Sequence, residues 1–353
     1  MKQFILPLAV ALVLCLGLLL WFSGFRKPDA SAKEWREYLG GPDRNHYSAL
    51  TQINRENVAR LEMAWQYHTG DTGQNQCNPI IVNGTLYGMT ARALPFALNA
   101  ATGEEYWKKE ADEDSKLSIS RGLVYWEDGE DQRILYTHGE WLYAVSALTG
   151  ETLPDFGENG RASLKSGLGP TASDKTVMST TPGAVYEDLI IMPLRLSEGA
   201  DAAPGHIQAF NIRTGELEWV FHTIPHPGEY GYETWPKDAY KNTRVGAGNN
   251  WAGMAVDRKR GVVYVPTGSA APDFYGGDRP GSNLFTNSLL ALDAKTGERI
   301  WHYQLVHHDL LDSDIPAPPN LVTVKREGKN VDAVVQVTKQ GLVFVFDRET
   351  GEP

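Results

Sequence analysis

The stretch "HHDLLDSDIP", residues 307 to 316, sets two histidines and the acids Asp309, Asp312 and Asp314 among apolar residues, one residue after the strand-like run "ERIWHYQL". Carboxylates this close repel one another unless a cation lies among them or water separates them. The stretch is therefore either a solvated turn or half of a metal site. A lone Asp after a strand is ordinary turn chemistry. What decides is which other residues the fold brings to it.

The elements that would position it recur along the chain. "ALNAATGEEYW" (97–107), "AVSALTGETL" (144–153), "AFNIRTGELEW" (209–219), "ALDAKTGERIW" (291–301) and "VFDRETGEP" (345–353) share an apolar pair, a Thr-Gly step, an acid and usually an aromatic. Each reads as a strand, a tight turn in which Gly takes a positive φ, and a second strand. Further strand-like runs precede each copy, among them "PIIVNGTLYGMT", "GAVYEDLIIMPL" and "GMAVDRKRGVVYVPTG", so each unit carries about four strands. Such units, repeated with insertions, indicate an all-β fold: a β-propeller of four-stranded blades. Trp65, Trp107, Trp219 and Trp301 are read as docking residues between blades. The last copy stops at Pro353 before its aromatic. Since a propeller hides its edges by closing, residues 33–353 are expected to be the N-terminal portion of a longer propeller.

Across 353 residues, 44 acids outnumber 33 Lys and Arg, for a net charge of -11. No basic cluster suited to phosphate is present, so a nucleic-acid partner is excluded. Residues 1–32 hold the uncharged run "FILPLAVALVLCLGLLLWF", long enough for a signal-peptide core or a membrane anchor. Export to the periplasm, cleaved or anchored to the inner membrane, is the expectation. Cys15 lies in that run, which leaves Cys77 alone in the exported part and without an intrachain disulfide partner.

The repeat "A-x-D-x-x-T-G-x-x-x-W" resembles the tryptophan-docking motif of the pyrroloquinoline quinone (PQQ) dependent alcohol and sugar dehydrogenases. "EWREYLGGPDRNHYSALTQINRENVARLEMAW", Glu34 to Trp65, is similar to that family's N-terminal signature, with Leu39 in the slot of its Gly. "FHTIPHPGE", "PTGSAAPDFYGG" and "HHDLLDSDIP" resemble the membrane-associated glucose and quinate dehydrogenase branch. The resemblance implies an eight-bladed propeller, of which this chain covers about five to six blades.

It also implies roles. Asp312 takes the slot of the catalytic base, which is also a metal ligand, and Asp314 that of the extra carboxylate of lanthanide-dependent members. Glu198 in "RLSEGAD" matches the metal-binding Glu, and Ser269 in "TGS" replaces an Asn ligand. The metal would be Ca2+, alternatively Mg2+ or a lanthanide, all hard ions that prefer oxygen. Lys339 in "VTKQG" matches the basic residue on the quinone oxygens, Arg121 an arginine on a PQQ carboxylate, and Trp251 in "NNWAG" the tryptophan under the ring system. Ser179 and Gln76 fall in slots that hydrogen-bond the cofactor. The relatives' adjacent-cysteine disulfide is absent, with Ser115 and Lys116 nearest its place. His307 and His308 are read as packing residues rather than ligands.

The function implied is oxidation of an alcohol, sugar or polyol by hydride transfer to PQQ, with electrons passing to a membrane quinone or cytochrome c. A non-catalytic propeller acting as an assembly scaffold is the alternative, because fold alone does not fix function. The two differ at the ring centre, where a scaffold has no reason to gather Asp312, Lys339 and Arg121.

Overall fold

The computed structural model of this protein describes residues 34–110 and 118–353. The expected leader or anchor at 1–32, and Ser115 with Lys116, lie outside the described residues. Among those described, no helix is long and apolar enough to cross a membrane.

Four antiparallel four-stranded sheets follow one another in chain order, with neighbouring strands paired outward from the first. The first blade comprises Ile80–Val82, Thr85–Met89, Pro95–Asn99 and Glu105–Lys108, and the second Val124–Asp128, Asp131–His138, Trp141–Ser146 and Arg161–Ser163. The third comprises Ala184–Tyr186, Leu189–Met192, Ile207–Asn211 and Leu217–Phe221, and the fourth Ala255–Asp257, Val262–Pro266, Ser288–Asp293 and Arg299–Gln304. A fifth sheet has three strands, Asn320–Arg326, Lys329–Val337 and Val343–Asp347. The all-β propeller expectation holds, with five blades among the described residues.

The core lies between blades. Ile190 packs toward the second blade with Leu135 and Leu142, while the next residue, Ile191, packs toward the fourth with Val263 and Leu290. Successive side chains on a strand point to opposite faces, and here both faces are covered. That is why runs such as "LIIM" and "VVYV" are continuously apolar rather than alternating.

The Thr-Gly turn joins the third and fourth strands and docks each blade on the one before. In the fourth blade, Asp293 Oδ1 accepts the backbone N–H groups of Lys295 and Thr296, both at 2.9 Å. The Gly297 N–H returns to the Asp293 carbonyl at 2.9 Å, with Gly297 at φ +75. A Cβ on Gly297 would lie 2.5 Å from the Trp219 ring, so only glycine admits the indole. The ring N–H donates to the carbonyl three residues earlier, Ala294, at 3.3 Å. Trp107 repeats this on Gly150 and Ala147, Trp301 on Gly351 and Arg348, and Trp65 meets Gly103. The second repeat has no Trp in its frame. There Phe156 packs at Gly215, and the neighbouring Gly157 N–H bonds the Thr214 carbonyl at 2.7 Å.

The N-terminal signature ties the ring together across its inner strands. Trp35 bridges to Ile81 in the first blade, the Val256 N–H donates to Pro42 in the fourth, and the Leu321 N–H donates to Asp43 in the fifth. Buried Arg44 secures the crossing by donating to the carbonyls of Met254 and Tyr38 at 2.8 and 2.6 Å.

Candidate active site

Chain topology decides where the chemistry can be. In an antiparallel blade, the segment entering the first strand and the hairpin joining the second to the third lie at one end. The Thr-Gly turns lie at the other. Gln76, Arg121, Ser179, Trp251, Asp312 and Asp314 all sit in segments entering a first strand; Glu198, Ser269 and Lys339 all sit in hairpins between second and third strands. Every candidate therefore belongs to the end opposite the docking turns. Two short ladders extend that end, Val177–Met178 with Arg195–Leu196 and Gly246–Ala247 with Ala270–Ala271.

A cavity of about 290 Å³ opens there, walled by Arg121, Glu198, Trp251, Ser269, Asp314 and Lys339 together with Thr180, Asn249 and Asp273. That is room for one small molecule rather than a macromolecular surface. Lys339 Nζ lies 2.8 Å from Asp312 Oδ1 and 3.4 Å from Asp314 Oδ2. Asp314 also accepts the Trp251 indole N–H at 2.9 Å and the Ser269 backbone N–H at 2.6 Å. Gly268 makes this approach possible, since a Cβ there would lie 2.5 Å from Asp314 Oδ1. The Arg121 guanidinium stands 5.7 Å from the Trp251 ring centroid and donates to Thr180 Oγ1 at 2.7 Å. Thr181 Oγ1 in turn donates to the Trp251 carbonyl at 2.8 Å.

The wall sets Arg121, Arg195 and Lys339 against Glu198, Asp273 and Asp314. Burial first, then the charges of Asp314, Asp312 and Glu198, push the Asp273 carboxyl up to about 7. The Glu198 carboxylate is exposed and makes no hydrogen bond among the described residues, although its backbone carbonyl accepts the Asp273 N–H at 3.3 Å. Carboxylates gathered around one lysine, with one of them driven to hold a proton, are a donor set suited to a hard cation. Arg121 and Lys339, with the flat Trp251 indole beside them, suit an anionic planar cofactor.

Three candidates are not lining residues: Asp312, which meets the wall through its ion pair with Lys339, and Ser179 and Gln76. Ser179 is buried, its hydroxyl donating to the Thr181 carbonyl at 3.0 Å, and Thr180 lines the wall instead. Gln76 precedes the first blade, where its carbonyl accepts from Asn78 Nδ2 at 3.3 Å, and it is not among the lining residues. Ser269 reaches the wall with its hydroxyl already committed, donating to Asp309 Oδ2 at 2.6 Å and accepting from Asn287 Nδ2 at 3.1 Å. Asp309 is a residue that sequence reasoning left without a role. It is buried, and it also accepts the Ser313 N–H at 2.6 Å and the Leu311 N–H at 3.2 Å. It thereby shapes the turn that presents Asp312, and the signal for it was its place in the "HD" pair. His308 bonds the Gly281 carbonyl through Nδ1 at 2.8 Å and His307 is exposed.

Residues 35–353 match the family described as PQQ: glucose/ethanol/alcohol dehydrogenase, beta-propeller domain. The chain belongs to that family. Among curated relatives of this PQQ dehydrogenase family, the quinoprotein glucose dehydrogenase of Escherichia coli (strain K12) is 33% identical over 390 residues, covering 98% of this chain and 48% of the relative. The quinate/shikimate dehydrogenase (quinone) of Acinetobacter baylyi is 32% identical, covering 92% of this chain and 44% of the relative. Among solved structures, the quinohemoprotein alcohol dehydrogenase from Comamonas testosteroni superposes with a TM-score of 0.80 at 25% identity, over 91% of this chain and 48% of that one. The chain thus spans about half the length of the relatives it matches.

Proposed function

We propose that this chain carries the cofactor and metal site of an exported dehydrogenase that oxidises an alcohol, sugar or polyol with PQQ as the electron acceptor. The observation that carries the reading is the convergence of Lys339, Arg121, Trp251 and the carboxylates Glu198, Asp273 and Asp314 at one cavity, with Asp312 held beside its wall by Lys339. When bound, PQQ supplies a two-electron acceptor for the hydride that leaves the carbinol carbon.

The chain's own residues do the rest. Asp312, partly exposed and held by Lys339, would accept the proton of the substrate hydroxyl as the carbinol carbon gives up its hydride. Lys339 keeps the carboxylate oriented, with its ammonium donating to Asp312 Oδ1, the Asp312 carbonyl and Asp314 Oδ2, and sets a positive charge at the cavity wall. Arg121, steadied by Thr180, provides positive charge for an anionic cofactor, and Trp251 provides a flat apolar face fixed by its bond to Asp314. Glu198, Asp312, Asp314 and Asp273 would hold the cation, Ca2+ in the first instance, with Mg2+ or a lanthanide as alternatives. Ser269 contributes through its backbone N–H to Asp314 rather than through its hydroxyl. Electrons would leave to a membrane quinone or cytochrome c in the periplasm.

The test is reconstitution of the full natural chain with PQQ and Ca2+. Quinone absorbance that co-elutes with the protein, and an artificial dye reduced on adding an alcohol or aldose, are the expected results. Absence of bound quinone with each of the three metals would overturn the proposal.

A further inference from the structure

Three histidines outside the cavity meet on the third blade. His206 immediately precedes the strand Ile207–Asn211, and His222 immediately follows its partner Leu217–Phe221. Ile207 pairs with Phe221, which sets the two histidines side by side with their rings edge to face at 4.6 Å. The turn "TIPHPGE" brings His226 back over His222, ring on ring at 3.7 Å. Ring nitrogens of all three lie within 4.8 Å of one another. His206 is buried and the other two are half-buried.

A fourth residue organises the group. Glu229 takes the His222 Nδ1 proton with Oε1 at 2.8 Å and the His226 backbone N–H with Oε2 at 2.7 Å. This fixes the His222 proton on Nδ1 and leaves Nε2 with a free lone pair, the arrangement by which a carboxylate prepares a histidine for a metal. Burial holds His206 and His226 below the ordinary imidazole range, so protons compete little for their nitrogens at neutral pH. His206 Nδ1 accepts the Thr223 N–H at 3.2 Å, which leaves the remaining proton on Nε2. Ligation through Nε2 would move that proton to Nδ1. Thr223 Oγ1, buried and without a hydrogen-bond partner among the described residues, is an acceptor on the same residue.

We propose that His206, His222 and His226 form a site for a borderline divalent transition metal such as Zn2+, with Glu229 positioning His222. Imidazole nitrogens suit Zn2+, Cu2+ or Ni2+ and offer little to the hard cation fitted by the carboxylates of the cavity, so the two sites select different ions. Binding requires the stacked, half-buried rings of His222 and His226 to turn about their side-chain torsions while buried His206 stays. The ion would link the segment after the fourth strand to the cavity wall, because Gly205, next to His206, donates to the Ala247 carbonyl at 2.9 Å and Ala247 lines the cavity. None of this depends on PQQ binding.

The experiment is a Zn2+ titration of tag-free, chelator-stripped full chain in excess Ca2+, read by competition with a chromophoric zinc indicator. Co2+ absorption in the visible provides a second readout. One tightly held Zn2+ per chain is expected, with an intense Co2+ band diagnostic of tetrahedral nitrogen ligands. The double variant His222→Ala, His226→Ala should lose both signals while keeping the far-UV spectrum, since neither ring is fully buried. Glu229→Gln should weaken Zn2+ about 10- to 100-fold. No Zn2+ held by the natural chain, or Zn2+ held equally by the double variant, would overturn the site and leave three neutral packing histidines.

Discussion

Lys339 donates to Asp312 twice, to Oδ1 at 2.8 Å and to the backbone carbonyl at 2.9 Å. Asp312 itself sits at φ +55, a left-handed conformation that Asp and Asn adopt more readily than other residues with a side chain. Both partners of the pair are about one-third exposed, so the bridge adds on the order of 0–1 kcal/mol to stability. Its effect is to fix where the carboxylate stands.

Asp312→Asn follows from this as the cleanest test of the base. Asparagine keeps the backbone conformation and roughly the shape but cannot take a proton. Turnover, counted per quinone bound, should fall about 10²- to 10⁴-fold, with the melting temperature of the cation-free protein little changed. Turnover within a factor of two of the natural protein would remove Asp312 from the reaction.

Asp273 gives a pH signature. Its carboxyl is raised to about 7 when folded, against roughly 3.9 for a free Asp. The folded state thus binds a proton that the unfolded state has released, so this group's contribution to stability is complete below about pH 4 and is lost as pH rises to about 7. In cation-free protein, Asp273→Asn should equal the natural chain in urea denaturation at pH 4. At pH 8 it should exceed it by up to a few kcal/mol. Parallel stability curves across that range would show that Asp273 carries no such burden.

Much of this fold was legible because its repeat is local. Thr-Gly with a short polar residue four before the glycine, an acid or amide in four copies and Ser146 in the second, is a self-contained turn, and an indole docks on four of the five glycines, so the copies announced the blades. Phe156 was hidden because it stands two residues past the frame, occupied here by Pro154, in which the other blades carry Trp. Site residues were legible one by one through resemblance, but their mutual engagement was not. The Ser269 hydroxyl is taken by Asp309, far along the chain, and only the closed fold shows it. Ser179 and Thr180 are neighbours in "STT", where nothing local says which one faces inward. His206 lies a strand away from "FHTIPHPGE", so the triad emerges only when Ile207 is paired with Phe221.

The cation site separates ligand from scaffold. Asp314 accepts two protein donors, from Ser269 N and Trp251 Nε1, so Asp314→Asn would turn an amide NH2 toward one of them and cost about 1–3 kcal/mol before any ion is added. Glu198 accepts no such bond, so Glu198→Gln should melt with the natural chain in the absence of Ca2+. On titration with Ca2+, the natural chain should rise in melting temperature, by about 2.7 kcal/mol of linkage at a hundredfold excess over the dissociation constant, and Glu198→Gln should rise much less. An equal rise in both would take Glu198 out of the site.

Two glycine substitutions isolate the docking contact from backbone strain. Gly150 and Gly139 sit at φ +72 and +58, so alanine at either should cost roughly 1 kcal/mol for the left-handed backbone alone. Around Gly139 a Cβ meets nothing within 4 Å, whereas at Gly150 it would lie 2.6 Å from the Trp107 ring. Relief there means pushing the indole off the turn, breaking its 3.0 Å bond to the Ala147 carbonyl and opening the apolar layer between the first and second blades. Gly150→Ala should therefore lose about 2–4 kcal/mol in total, the excess over Gly139→Ala being the docking contribution, measured by denaturant unfolding followed through tryptophan fluorescence. Equal losses at the two positions would mean that the indole is not what holds neighbouring blades in register.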